Sequence, residues 1–214
     1  MMIIGITGTI ASGKSTLVKI LTREKHKVFE SDKYASKILS DQNVLEEIKD
    51  EFGGTSGLIC NDGSINKPLL RDLVFGSKEN LKKLEKITHP AIKKKEKEFV
   101  RKCAINRKSK VFLDIPLLLE TDYHKRCDFI INLFVNKTIQ KYRALARGNM
   151  TEETFNFLYE KQKKNNNKLV KIFHMNLNSG SGMFHVKKKL AIFLKRIKII
   201  KKKNVWPSIY CKYL

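Results

Sequence analysis

Met2-Ile3-Ile4-Gly5-Ile6-Thr7 is apolar without alternation, the pattern of a short strand buried on both faces. From Lys14 to Glu24 the pattern changes period: Leu17, Val18, Ile20 and Leu21 recur at helical spacing. Val28 to Ser31 predicts a second short strand, and Asp32 to Leu39 opens another helix. From Val44 to Arg107 the chain reads as mostly helical, broken at Phe52-Gly53-Gly54 and at the turn-like Asn61-Asp62-Gly63. Pro90 suits the first turn of a helix, which makes His89 a cap or local clamp there. Apolar strand runs return at Val111 to Ile115, ending at Pro116, and at Phe129 to Val135. Thr138 to Arg147 and Thr151 to Lys161 predict helices, the second capped by Thr151. Ile172 to Leu177 reads as a last strand and His185 to Ile200 as a basic amphipathic helix. Strands that alternate with helices predict an α/β fold with a parallel sheet covered on both faces.

A chain of 214 residues is sized for one domain with inserted lobes. Its net charge of +23 would attract nucleic acid, an anionic membrane or phosphorylated metabolites. The basic residues are 36 Lys and only 8 Arg, and many stand in runs such as Lys93-Lys94-Lys95 and Lys201-Lys202-Lys203 beside Asn165-Asn166-Asn167. Biased codon usage produces that pattern, whereas base readers and phosphate clamps favour Arg. No nucleic-acid partner is therefore expected, and the basic stretch Lys198 to Leu214 reads as a solvated end. Cys60, Cys103, Cys127 and Cys211 lie far apart with no CxxC pair, which argues against a zinc ribbon and for a reduced, cytoplasmic chain. No secretory leader is read, and no stretch approaches the ~20 apolar residues of a membrane span.

The chemistry sits at Gly8-Thr9-Ile10-Ala11-Ser12-Gly13-Lys14-Ser15, a full G-x-x-x-x-G-K-[ST] match between a strand and a helix. Glycines let successive backbone N–H groups point inward, and the helix start adds its positive end. Lys14 reaches β and γ phosphates, and the Ser15 hydroxyl coordinates Mg²⁺. Asp32, just past the second strand, has two readings: a base accepting a proton from an attacking hydroxyl, or the cap of the helix it precedes. Asp114, ending the third strand, either helps hold Mg²⁺ or simply terminates the strand. Arg143 and Arg147, four apart, would share one helix face suited to a triphosphate.

These pieces together resemble the dephospho-coenzyme A kinase family over roughly residues 2 to 180. The resemblance runs through IIGITGTIASGKST, FESDKYA, DEFG with NDGSINKPLLRDLVF, LEKITHPAI, VFLDIPLLLE and QKYRALAR. It implies a P-loop kinase-like three-layer fold: a parallel sheet, an inserted helical substrate lobe at about 36–107 and a helical lid at about 138–165. The core would take about 1–35, 108–136 and 170–200, with a basic tail at about 200–214. The implied reaction is phosphorylation of the ribose 3′-hydroxyl of dephospho-coenzyme A by ATP with Mg²⁺. The implied catalytic residues are Asp32 as base, Lys14 and Arg147. Gly8 to Thr16, with Arg143 and Arg147, would bind ATP; Thr16 lies just past the motif. Asp32, Arg71, His89, Pro116, Leu117 and Glu120 would meet the acceptor, and Ser15 and Asp114 the metal. The sequence departs from the family pattern at Thr9, Glu30, Gly148 and Leu158, and in the Asn-rich stretch before Gly180. The alternatives are another P-loop kinase of nucleotides or small metabolites and, prompted by the charge, a nucleic-acid-binding ATPase.

Overall fold

The structure is a computed structural model that describes residues 1–75, 77–115, 122–148, 150–168 and 174–199. Its strands are β1 (Met2–Gly8), β2 (Lys27–Glu30), β3 (Lys110–Asp114), β4 (Phe129–Phe134) and β5 (Met175–Asn178). They form one sheet in the order β2-β3-β1-β4-β5. β1 is central and runs parallel to β3 and to β4, with Ile6 opposite Asp114 and Gly8 opposite Leu133. A parallel sheet gathers its carboxyl ends along one edge, where such folds bind ligands. Gly8, Asp114, Phe134 and Asn178 end their strands on that edge.

Contacts divide the chain into two compact units: Met1–Phe29 with the described residues from Cys103 on, and Glu30–Lys102. The sheet unit adds helices α1 (Lys14–Arg23), α6 (Lys137–Leu145), α7 (Glu152–Lys168) and α8 (Met183–Ile199). One sheet face presents Ile4, Ile6, Phe112, Ile131 and Leu133 to Leu17 and Leu21 of α1 and to Leu190 and Leu194 of α8. Ile3, Val111, Leu113 and Ile130, which alternate with these, are buried as well. Burial on both faces accounts for unbroken apolar strands, and each such side chain contributes about 1.5–3 kcal/mol.

The second unit holds α2 (Ser31–Ile38), α3 (Gln42–Phe52), α4 (Lys67–Phe75) and most of α5 (Lys78–Ile105). Ile38, Val44, Ile48, Phe52, Leu70 and Val74 form its core. The Asn61-Asp62-Gly63 turn is present: an Asp62 carboxylate oxygen accepts the Ser64 N–H at 2.9 Å.

Four expectations need correction. Pro90 does not open a helix; it lies inside the 28-residue α5, so His89 is no cap. In the turn before it, the Thr88 hydroxyl donates to the Leu84 carbonyl at 2.8 Å. Helix α6 stops at Leu145, because the chain tightens into i→i+3 bonds and Gly148 takes a left-handed φ of 73°. Arg147 therefore sits in the turn beyond the helix. Asp32 does not cap α2, which starts one residue earlier and has Glu30 at its N-cap. The last strand begins at Met175; Ile172 and the tail from residue 200 lie outside the described residues.

Candidate active site

The loop between β1 and α1 is shaped by close packing. A Cβ on Gly8 would lie 2.5 Å from the Leu133 carbonyl oxygen and 2.6 Å from the Ser12 hydroxyl, so only glycine fits. Gly13 takes φ 98° as the N-cap of α1, and a Cβ there would crowd Ser179 at 3.0 Å. No side chain caps α1 and no acid stands in its first turn. The positive end of the helix therefore faces the loop with no acidic side chain set against it, which suits an incoming anion. The Lys14 ammonium donates to the Gly8 carbonyl at 2.7 Å and to that of Thr9 at 3.4 Å, which lays it along the loop. Ser15 and Thr16, in the first turn, are exposed.

Ala11 takes a left-handed φ of 54°. A non-glycine residue there costs about 1–2 kcal/mol, so its surroundings must enforce it. Ala11 is buried against Ala144 of α6 and Phe155 of α7. The Thr9 hydroxyl donates to the buried Gln140 side-chain carbonyl at 3.0 Å, and the Gln140 amide donates to the Val135 carbonyl at 2.7 Å. Gln140 escaped sequence reasoning, although it stands three residues before Arg143 on the same helix.

Beside the loop opens a pocket of about 490 Å³. Gly13 and Thr16 border it, Leu17, Leu133 and Val186 give it an apolar floor, and Tyr142, Met183, Arg143 and Arg147 stand around it. Tyr142 is 76% exposed and Met183 53%, so both offer apolar surface to a bound molecule. The Arg143 guanidinium donates to the Ser179 hydroxyl at 3.0 Å and to its carbonyl at 3.4 Å. That ties α6 to the turn after β5, which Asn178 closes by accepting the Gly180 N–H at 2.9 Å. Arg143 and Arg147 thus border one pocket, one from the helix and one from the turn after it. Tyr142 and Met183 carried no sequence signal, since scattered apolar residues are common on any surface.

Asp32, Arg71 and His89 belong to the helical unit, whereas Asp114 ends β3 of the sheet unit. Asp32 lies exposed in the first turn of α2. Glu30, two residues before it, pairs with Lys33 at 2.7 Å. Arg71 is exposed on α4 and stands 3.6 Å from Asp72. His89 is exposed on α5. Pro116, Leu117 and Glu120 fall outside the described residues.

The family model for dephospho-CoA kinase matches residues 2–182. The chain belongs to the dephospho-CoA kinase family. A dephospho-CoA kinase of Bartonella henselae is 37% identical over 162 residues, covering 76% of this chain and 81% of that one. The solved dephospho-CoA kinase of Campylobacter jejuni superposes with a TM-score of 0.69 at 27% identity, over 91% of this chain and 96% of that one. A solved Thermus thermophilus protein gives 0.73 at 27% identity, over 94% and 98%. The protein is thus a transferase with the P-loop kinase fold.

A kinase of this family implies a nucleotide and a divalent cation, and the residues present fit both. Ser15 and Asp114 offer only oxygen donors, as a hard cation requires. Among the described residues no group of three His, Cys, Asp or Glu forms a metal cage. No helix among the described residues is long and apolar enough to cross a membrane.

Proposed function

We propose that this protein transfers the γ-phosphoryl group of ATP to the 3′-hydroxyl of dephospho-coenzyme A, giving coenzyme A and ADP, the last step of coenzyme A assembly. The observation that carries the reading is the uncapped α1 N-terminus, wrapped by a complete Gly8–Ser15 loop and opening onto the pocket that Arg143 and Arg147 border. The adenine lies on the apolar floor between Tyr142 and Met183. The loop N–H groups and Lys14 take the β and γ phosphates, so Lys14 exchanges its two loop carbonyls for phosphate oxygens. Ser15 and Asp114 would hold Mg²⁺, which would supply positive charge to offset that of the phosphates. Arg143 and Arg147 meet the charge that spreads over the equatorial oxygens in the transition state.

Asp32 supplies the base. It takes the proton of the 3′-hydroxyl as that oxygen bonds to the γ-phosphorus, while the bond from γ-phosphorus to the β–γ bridging oxygen breaks and ADP leaves. Lying in the first turn of α2 without capping it, Asp32 is available for this role. Arg71, His89 and the segment with Pro116, Leu117 and Glu120 orient the acceptor, and α6 with α7 form the lid that excludes water. The enzyme works in the cytoplasm on a small molecule; the surplus of Lys serves no nucleic acid.

A coupled ADP-release assay tests this reading with dephospho-coenzyme A against AMP, CMP and UMP. Turnover on dephospho-coenzyme A alone is expected. Turnover on a monophosphate with none on dephospho-coenzyme A would replace the reading with that of a nucleotide kinase.

A further inference from the structure

The first half of the phosphate loop is held from outside by the two helices that follow β4. Gln140 of α6 secures Thr9 through its hydroxyl. One residue on, the Ile10 backbone N–H donates to the side-chain carbonyl of Gln162 at 2.6 Å, across 152 residues of chain. Because the partner is an N–H, the carboxamide must turn its oxygen to the loop. Phe155, Tyr159 and Gln162 follow one another at i, i+4 and i+7, so they share one face of α7. That face meets the loop: Phe155 is fully buried in the cluster that contains Ala11, and Ile10 and Tyr159 pack against it. Tyr159 stacks on Phe155 with ring centroids 5.8 Å apart, and the Lys137 ammonium lies 4.9 Å from the Tyr159 ring centroid. Neither Ile10 nor Gln162 borders the pocket that Ala11 and Gly13 enter.

We propose that Gln162 is a positioning residue of the phosphate loop, its side-chain carbonyl fixing the Ile10 N–H and so holding the strained Ala11 in the shape that receives the nucleotide. The inference rests on reading the loop as the ATP phosphate site. An N–H already committed to α7 cannot turn elsewhere, and Ala11, the next residue, has a left-handed φ that an unsupported loop would abandon. Gln162 touches no reacting atom in this role. It lowers the ordering that the loop must undergo when phosphates arrive, which is a gain in nucleotide affinity rather than in the chemical step.

The test uses the full chain and two variants. Gln162→Met keeps the volume and removes the acceptor; Gln162→Glu keeps an acceptor for the Ile10 N–H. Two readouts are taken: amide hydrogen exchange at Ile10 without nucleotide, and ATP affinity by calorimetry without acceptor, followed by steady-state kinetics. In Gln162→Met, Ile10 exchange and the ATP dissociation constant should each rise about tenfold, the scale of one lost hydrogen bond that leaves a half-buried donor unpaired. The KM for the acceptor and kcat should stay within about twofold, a split that a general loss of stability would not produce. Gln162→Glu should keep Ile10 protected. Unchanged exchange or unchanged ATP affinity in Gln162→Met would overturn the inference. Loss of protection in both variants alike would also overturn it, because the packing of the stem rather than the carbonyl would then hold the loop. A wild-type enzyme that binds ATP but leaves dephospho-coenzyme A unphosphorylated would count against the proposed reaction alone, since the exchange and affinity readouts do not involve the acceptor.

Discussion

The phosphate loop and the helical unit Glu30–Lys102 hold their candidate residues in opposite ways. Four loop positions have their places dictated: Gly8 by the Leu133 carbonyl, Gly13 by Ser179, Ala11 by Phe155, and Lys14 by two loop carbonyls. Asp32, Arg71 and His89 instead project from helix surfaces, and the core of their unit is built from other residues, such as Ile48 and Val74. A nucleotide therefore meets a preorganised cradle, which limits the ordering cost of binding. On the proposed reaction, the acceptor would meet side chains whose working geometry its own binding completes. Mutations should separate the two: changes in the loop disturb both the fold and the nucleotide, and changes on the helices disturb turnover alone.

Asp32→Asn should break the comparison most sharply. The exposed side chain supports nothing, so thermal stability and ATP affinity should hold while kcat falls by roughly 10²-fold or more, the scale of general-base catalysis. Unchanged kcat in steady-state assays would remove Asp32 from the chemistry. Gly8→Ala should do the reverse. Its methyl would drive into the Leu133 carbonyl, costing about 1–3 kcal/mol of stability in denaturant unfolding and displacing the loop from ATP. A stable variant that binds ATP normally would show that the loop tolerates more than its packing allows. Arg143→Lys is smaller. The forked donation to Ser179 becomes a single point charge, so the KM for ATP should rise about tenfold with little change in the melting temperature.

How far the sequence could be read follows the same division. The strand, loop and helix around Lys14 were legible because a continuous apolar run, glycines at fixed spacing and a 3.6-residue period are all local signals. Arg143 was legible for its rarity and for its place on a predicted helix. Gln140, Tyr142, Gln162 and Met183 were not, since Gln140 and Gln162 take their roles from loop residues far along the chain, and Tyr142 and Met183 from a pocket built by distant segments. Pro90 misled in the other direction: proline favours first turns, but the long α5 retains it in its interior. Arg147 shows a finer failure. Spacing of four puts two arginines on one helix face only while the helix lasts, and α6 ends at Leu145, two residues before the second.

The smallest effect should appear far from the loop. His26 packs its ring against Phe112 at 5.3 Å, and burial, together with the Lys110 ammonium, holds its pKa below the ordinary value of about 6.5 despite Glu24. Below that pH the unfolded chain binds a proton that the folded protein refuses, so stability should fall as the pH drops from about 6.5 toward the folded pKa. His26→Phe should flatten that part of the stability–pH curve and leave turnover at neutral pH unchanged. An equally steep curve in the variant would locate the acid sensitivity elsewhere.

If the nucleotide cradle serves transfer to a ribose hydroxyl, the transferred phosphorus must end on the ribose. ³¹P NMR of a reaction containing the protein, Mg²⁺, ATP and dephospho-coenzyme A tests it most directly. A new phosphomonoester resonance, assigned to the ribose 3′ position, is expected to grow in step with ADP. ADP accompanied only by inorganic phosphate, or a phosphomonoester at another position, would contradict it.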